Sequence, residues 1–232
     1  MKSKLITIVA ALSVASTAYA VSSSKVDKEF EVAFASHIEA GMAEQDVMVE
    51  TSPGAQTVFR FGPGEAAPGS ELFAAAQSIP HNPMDPAANG PHPKGQPLGM
   101  TVGDWLSAKG SASYVELDGV GHLTAEFEGL VPNGVYTMWH FFMSSEATEP
   151  FIGTFDIPVG DRDGSQSVFV ADANGRAEFD QYIKPGLQLT GDQLMAGLAV
   201  AWHSDGKTYG VLPGEFGYNT HVQLFAGLPT AE

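Results

Sequence analysis

Beyond Gly110 the chain is written in short runs of β-branched and aromatic residues separated by turn residues. The runs are Tyr114 to Leu117, His122 to Leu130, Val135 to Met143, Ser167 to Ala171, Arg176 to Ile183, Leu194 to His203, Thr208 to Leu212 and Asn219 to Phe225. Such runs predict strands. Asp118-Gly119, Asn133-Gly134, Asn174-Gly175 and Asp205-Gly206 supply residues that tolerate positive φ between them. Eight runs at this spacing predict a mainly β fold, an antiparallel β-sandwich of Greek-key or jelly-roll type. Taken as a two-residue hairpin turn, Asp205-Gly206 pairs His203 with Thr208 and Trp202 with Tyr209.

The first half follows other rules. From Val26 to about Met48, Phe30, Phe34, Ile38 and Met42 recur every four residues, which predicts an N-terminal amphipathic helix. Glu29 to Ala35 also reads as an alternating strand through Phe30, Val32 and Phe34. Residues 52–99 are rich in Pro and Gly, which prevents long regular elements and leaves room for at most one short helix near Glu71 to Gln77. Thr101 with Asp104 three residues later is a capping-box pattern opening a short helix through Trp105 and Leu106, which Gly110 can end. The expected division is a signal peptide over 1–20, a helix and Pro/Gly-rich segment over 21–97, and the β-sandwich over 98–232.

The leading segment changes the expected compartment. Lys2 and Lys4 precede an apolar run from Leu5 to about Val14, and Ala18-Tyr19-Ala20 is of the A-x-A type, the pattern of a secretory signal peptide. The reading is a soluble periplasmic or extracellular protein. No run is long enough for a transmembrane anchor. With no Cys in 232 residues, no disulfide can staple the exported fold. Lys and Arg number 11 against 27 Asp and Glu, a net charge of −16 that repels phosphate backbones and makes nucleic acid an unsuitable partner.

Candidate chemistry centres on histidine. His140, His203 and His221 lie in or at the ends of the strongest predicted strands, and a buried imidazole needs a partner. Neutral imidazoles from neighbouring strands, with Met138 or Met143 as a soft ligand, would suit copper or zinc. The competing reading is that each ring bonds its own carboxylate or carbonyl. His81 and His92 read as solvated loop residues. Asp161-Arg162-Asp163-Gly164-Ser165, with Asp172 further on, offers oxygen ligands for calcium but lacks the Gly and final Glu of an EF-hand, so a solvated acidic turn is the simpler account. Serine hydrolase, zincin and nucleotide-binding motifs are absent from the sequence. A triad of Ser204, His203 and Asp205 fails because sequence neighbours point in different directions. Trp105, Trp139 and Trp202 would stack on sugars only if exposed.

The segments WHSDGKTYG, PGEFG and THVQLF, with GDWL at 103–106 and GLVPNGVYTMWH at 129–140, resemble secreted prokaryotic proteins carrying one β-rich domain. That resemblance spans roughly residues 98–228 and implies location and fold. GLVPNGVYTMWH is also similar to a stretch of chordin-type and copper-zinc superoxide dismutase-like sandwiches. The dismutase pattern has closely spaced ligand histidines and a disulfide, both missing here. The functional expectation is an exported binding protein for a metal ion or small molecule. The alternatives are a non-catalytic cell-surface or matrix interaction module, and a metal-dependent oxidoreductase or hydrolase.

Overall fold

The computed structural model describes residues 26–39, 45–80, 86–144, 155–192 and 194–231. The expected signal peptide lies outside them. Antiparallel strands dominate: β1 (Val26–Phe34), β2 (Met48–Glu50), β3 (Thr57–Arg60), β4 (Glu71–Ala75), β5 (His92–Thr101), β6 (Lys109–Leu117), β7 (Val120–Glu128), β8 (Val135–Ser144), β9 (Phe155–Pro158), β10 (Val168–Val170), β11 (Ala177–Ile183), β12 (Leu194–His203) and β13 (Thr220–Gly227). One short helix, α1 (Val102–Leu106), joins β5 to β6.

These strands make three groups. A first sheet has the order β1-β6-β7-β11, and a second has the order β10-β8-β12-β13 with β9 also on β8. The third is a small closed barrel of β2, β3, β5 and β4. Alternation explains the first sheet. In β6 and β7, Ala112, Tyr114, Leu123, Ala125 and Phe127 are buried while Ser111, Ser113, Glu126 and Glu128 face out. Tyr114, Leu123, Phe127 and Phe179 of this sheet share one core with Tyr136, Met138, Phe142, Val200 and Leu224 of the second. Phe169 on β10 packs against Phe127 at 5.4 Å and Tyr136 at 5.5 Å, so its ring bridges the two sheets.

The second sheet is apolar on both faces, because Trp139, Phe141, Ala199, Ala201 and Val222 form a separate cluster on its far side. A bulge between Val200 and Ala201 of β12 and their partners on β13 sends both Gln223 and Leu224 toward the shared core. There the Tyr136 hydroxyl donates to Gln223 Oε1, and Gln223 Nε2 donates to the Trp105 carbonyl. The capping box of α1 is present, with Thr101 and Asp104 each accepting from the other's backbone N–H.

Several expectations need correction. Residues 26–34 form strand β1 rather than the N-terminal helix. Phe30, Val32 and Phe34 line one side and pair with β6, and a period of two buries them while leaving Glu29 and Glu31 in water. Residues 40–44 lie outside the described set. The Pro/Gly-rich segment is not a loop: it builds the barrel, with Glu71–Ala75 a strand instead of a helix. In β5 the prolines Pro93 and Pro97 are tolerated because pairing there is broken by irregular register. Gly110 lies within β6 and does not end the helix, whose C-cap is Ser107. Thr208–Leu212 is not a strand, and Asp205-Gly206 is not a hairpin turn. His203 pairs with Thr220 and Trp202 with His221 instead, across the long loop 204–219. The turn at Asp172 to Gly175 connects different sheets rather than a hairpin, since β10 pairs β8 while β11 pairs β7. Among the described residues no helix is long and apolar enough to cross a membrane.

Tyr114 is a fully buried residue of the first sheet with a polar group to satisfy. Its hydroxyl donates to Glu116 Oε2 and accepts the Leu187 N–H at 2.7 Å, and burial first, then Glu116, pushes its ionisation upward. Tyr114→Phe leaves the buried Leu187 N–H without its acceptor, while Glu116 keeps Lys28, and should cost about 1–3 kcal/mol, read as a lower urea midpoint with an unchanged slope.

Candidate functional site

The three predicted histidines do not share a site. On β8, His140 lies with Tyr136, Met138 and Phe142 on the core-facing side of the second sheet, its ring 4.3 Å from that of Phe142. His203 is on the opposite face, bonded to Thr137. His221 is on the core side but pairs with Trp202, whereas His140 pairs with Leu198. Four residues of strand therefore separate them, about 13 Å along β12.

Each ring has protein partners of its own. His140 Nε2–H donates to the Gln188 carbonyl at 3.0 Å, and burial lowers its pKa to about 4. His203 Nε2 meets Thr137 Oγ1 at 2.8 Å, and that oxygen also accepts the Trp139 indole N–H at 2.7 Å. Burial lowers the His203 pKa to about 4 as well, Asp205 opposing that shift and His221 adding to it. Met138 is fully buried in the apolar core. Among the described residues no group of three or more His, Asp or Glu is placed to hold a metal. The expected trio with Met138 does not fit copper or zinc, because its donors are spread over two faces and engaged elsewhere. His140 lines a cavity of about 110 Å3 to which Arg162 and Lys184 also contribute, and cationic neighbours oppose a divalent ion.

What the fold assembles instead is a polar network around His221, which is wholly buried. Its Nδ1–H donates to the main-chain carbonyl of Asp46 at 2.7 Å, leaving the Nε2 lone pair to accept from Ser204 Oγ at 3.1 Å. Desolvation, the largest effect on this ring, lowers its pKa and keeps it neutral. The Asp46 carboxylate accepts the Val222 N–H at 3.1 Å and binds Arg60 Nη2 at 2.9 Å, with both charged side chains about 3 % exposed. Ser204 follows β12 and stays half-buried at a turn. The loop beyond is held by side chains. Tyr209 donates to Asp205, Asn219 Nδ2 donates to Tyr209 at 2.7 Å, and Glu215 N–H donates to Asn219 Oδ1 at 2.9 Å. The rejected grouping of Ser204, His203 and Asp205 indeed does not form, as His203 bonds Thr137 while Ser204 bonds His221. Pairing Ser204 with His221 was invisible in sequence because it depends on the length of the loop between them.

The outer face of the first sheet is the other chemically distinct surface. Across it run the rows Ala33, Ser111, Glu126, Glu178; then Glu31, Ser113, Thr124, Asp180; then Glu29, Val115, His122, Tyr182. Glu126 and Glu178 are directly opposite each other. Tyr182 is 66 % exposed and stacks on His122 at 4.4 Å, and His122 Nε2 contacts Asp180 Oδ1 at 2.7 Å. At one end an open groove of about 930 Å3 is lined by Lys109, Glu126, Glu128, Asp172, Arg176 and Glu178 among others. The three tryptophans are buried, so stacking on sugars through them has no exposed ring to use.

The acids considered for calcium serve their own turns. Asp163 Oδ1 accepts the Ser165 N–H, and Asp172 Oδ1 accepts the N–H groups of Asn174 and Arg176, which lowers both pKa values. The buried histidines make stability pH-dependent. His140 and His203 stay neutral in the fold but take up a proton near pH 6.5 once unfolded, so stability is full above about 6.5 and falls toward pH 4. Each ring should account for on the order of 3 kcal/mol of that decline. Urea midpoints between pH 7.5 and 4.5 check this, with His140→Gln reducing the slope.

No family model matches the chain, and no curated protein matches it.

Proposed function

We propose that the protein is exported, that its two facing sheets form a Greek-key sandwich, and that it works as an interaction module. The working surface is the outer face of the first sheet, and the partner is a basic segment of another protein. The observation that carries this reading is the Glu126–Glu178 pair. Like charges directly opposite on neighbouring strands destabilise a sheet, and Asp180, Glu31 and Glu29 extend the same sign across the face. Lysine or arginine side chains from a partner would offset that repulsion. The exposed Tyr182 ring offers a face for cation–π contact, and the adjoining groove gives an extended segment a place to lie. A net charge of −16 draws such a partner in from a distance.

Titration with a lysine homopolymer, followed by calorimetry at low and physiological salt, tests the reading. Binding should weaken as salt rises, and Glu126→Gln with Glu178→Gln should weaken it about tenfold at low salt while raising the melting temperature by about 1–3 °C. Binding that ignores both substitutions would reject this face.

A further inference from the structure

A second site, independent of the acidic face, is built from the network at His221. We propose that Ser204 is a nucleophile for acyl transfer from small esters, with His221 as its general base and the main-chain carbonyl of Asp46 as the group that fixes the base. Three geometric requirements of such a unit are met. The nucleophile lies within hydrogen-bond reach of the base, at 3.1 Å. The base is oriented through its other nitrogen, whose N–H is taken by Asp46 at 2.7 Å, so the lone pair points to the serine. The orienting residue is itself immobilised, because its carboxylate is tied to Arg60 and to the backbone of Val222. A carbonyl replaces the usual carboxylate as orienter. It sets the tautomer equally well and gives less stabilisation to the imidazolium, which suits esters with good leaving groups better than amides.

The step balances without any further reactant than water. Ser204 Oγ bonds to the ester carbonyl carbon as its proton passes to His221 Nε2. The carbon–oxygen bond to the alcohol then breaks, and the leaving oxygen takes that proton. Water next gives a proton to Nε2 and its hydroxyl to the acyl carbon. The Oγ–carbon bond breaks, and Oγ recovers the proton from His221. The half-buried position of Ser204 at a surface turn limits the substrate to a small acyl group.

Groups facing His221 are few and can be named. They are Asp46 and Arg60 on the barrel side, Asp205 in the turn, and His203 on the neighbouring strand. Burial lowers the ring's pKa from its ordinary value, so reactivity should be nearly flat between about pH 6.5 and 8.

The test is covalent labelling of the full chain with a fluorophosphonate probe, located by mass spectrometry, together with hydrolysis of p-nitrophenyl acetate. One adduct is expected at Ser204, none in Ser204→Ala, and labelling at least about 100-fold slower in His221→Gln, with circular dichroism checking that each variant folds. Should His221→Gln fail to fold, the flat pH profile of labelling in the native protein takes its place. Absence of an adduct at Ser204, labelling unaffected by His221→Gln, or a labelling rate that climbs tenfold per pH unit across that range would each overturn the proposal. Ser204→Ala leaves the lysine-homopolymer binding of the acidic face intact, so the two proposals fail separately.

Discussion

A single buried aspartate ties the barrel to the second sheet. Asp46 precedes β2, yet its carboxylate holds Arg60 of β3 and the Val222 N–H of β13, and its carbonyl holds His221. Removing two charges from water costs several kcal/mol for each ion, and attraction between them repays this only when further hydrogen bonds satisfy the remaining lone pairs. Asp46 meets that condition by capping backbone and side chain on a strand more than 170 residues away. Loss of either partner would leave a buried, uncompensated charge. The barrel's position and the aim of His221 Nε2 toward Ser204 both follow from this node.

A second attachment stands beside this node. The Ala75 N–H donates to the Gly217 carbonyl, and the Ile79 N–H donates to the Phe216 carbonyl, so the barrel also grips the loop after β12. Gly217 has φ +71°, and any Cβ there would run into Ile79 and Met48. Only glycine lets the loop come this close. Ser204 and His221 are thus held from both sides, one by the turn that begins the loop and the other by the strand that follows it.

Local chemistry made much of the fold legible. The strands β6, β7 and β11 are readable from alternation, because a pleated ribbon with one wet face leaves a period of two in the sequence, and β8, β10, β12 and β13 are readable as short β-branched and aromatic runs bounded by turn residues. The cap of α1 is equally local. What failed was nonlocal. Phe30 and Phe34 satisfy a spacing of four and of two alike, and only pairing with β6 decides between them. Prolines disguised the barrel strands, whose irregular register avoids the hydrogen bonds that proline cannot donate. Thr208 to Leu212 carries strand-forming residues, but Tyr209 spends its hydroxyl on Asp205 and Asn219, which bends the segment into a loop. As for the site, sequence could nominate His221 as a buried ring in need of a partner. It could not place Ser204 beside that ring, nor show that His140 and His203 point to opposite faces, because face and register are set by the pairing of β8, β12 and β13.

Burial also decides where charge can go. The second sheet is apolar on both faces, so it has almost no room for carboxylates, and the first sheet has one wet face to carry them. Charge on that face is therefore expected, but opposition of like charges is not. Ser111, Ser113 and Thr124 occupy equivalent outward positions and give the face its solubility without repulsion. Lys109 faces Glu128 across the same strands and is paired with it at 2.8 Å, which is how a sheet ordinarily arranges its charges. One row away Glu126 faces Glu178, where serine or threonine would have served. That like-charge pair lines the open groove of about 930 Å3 and is the feature on which the proposed binding face rests.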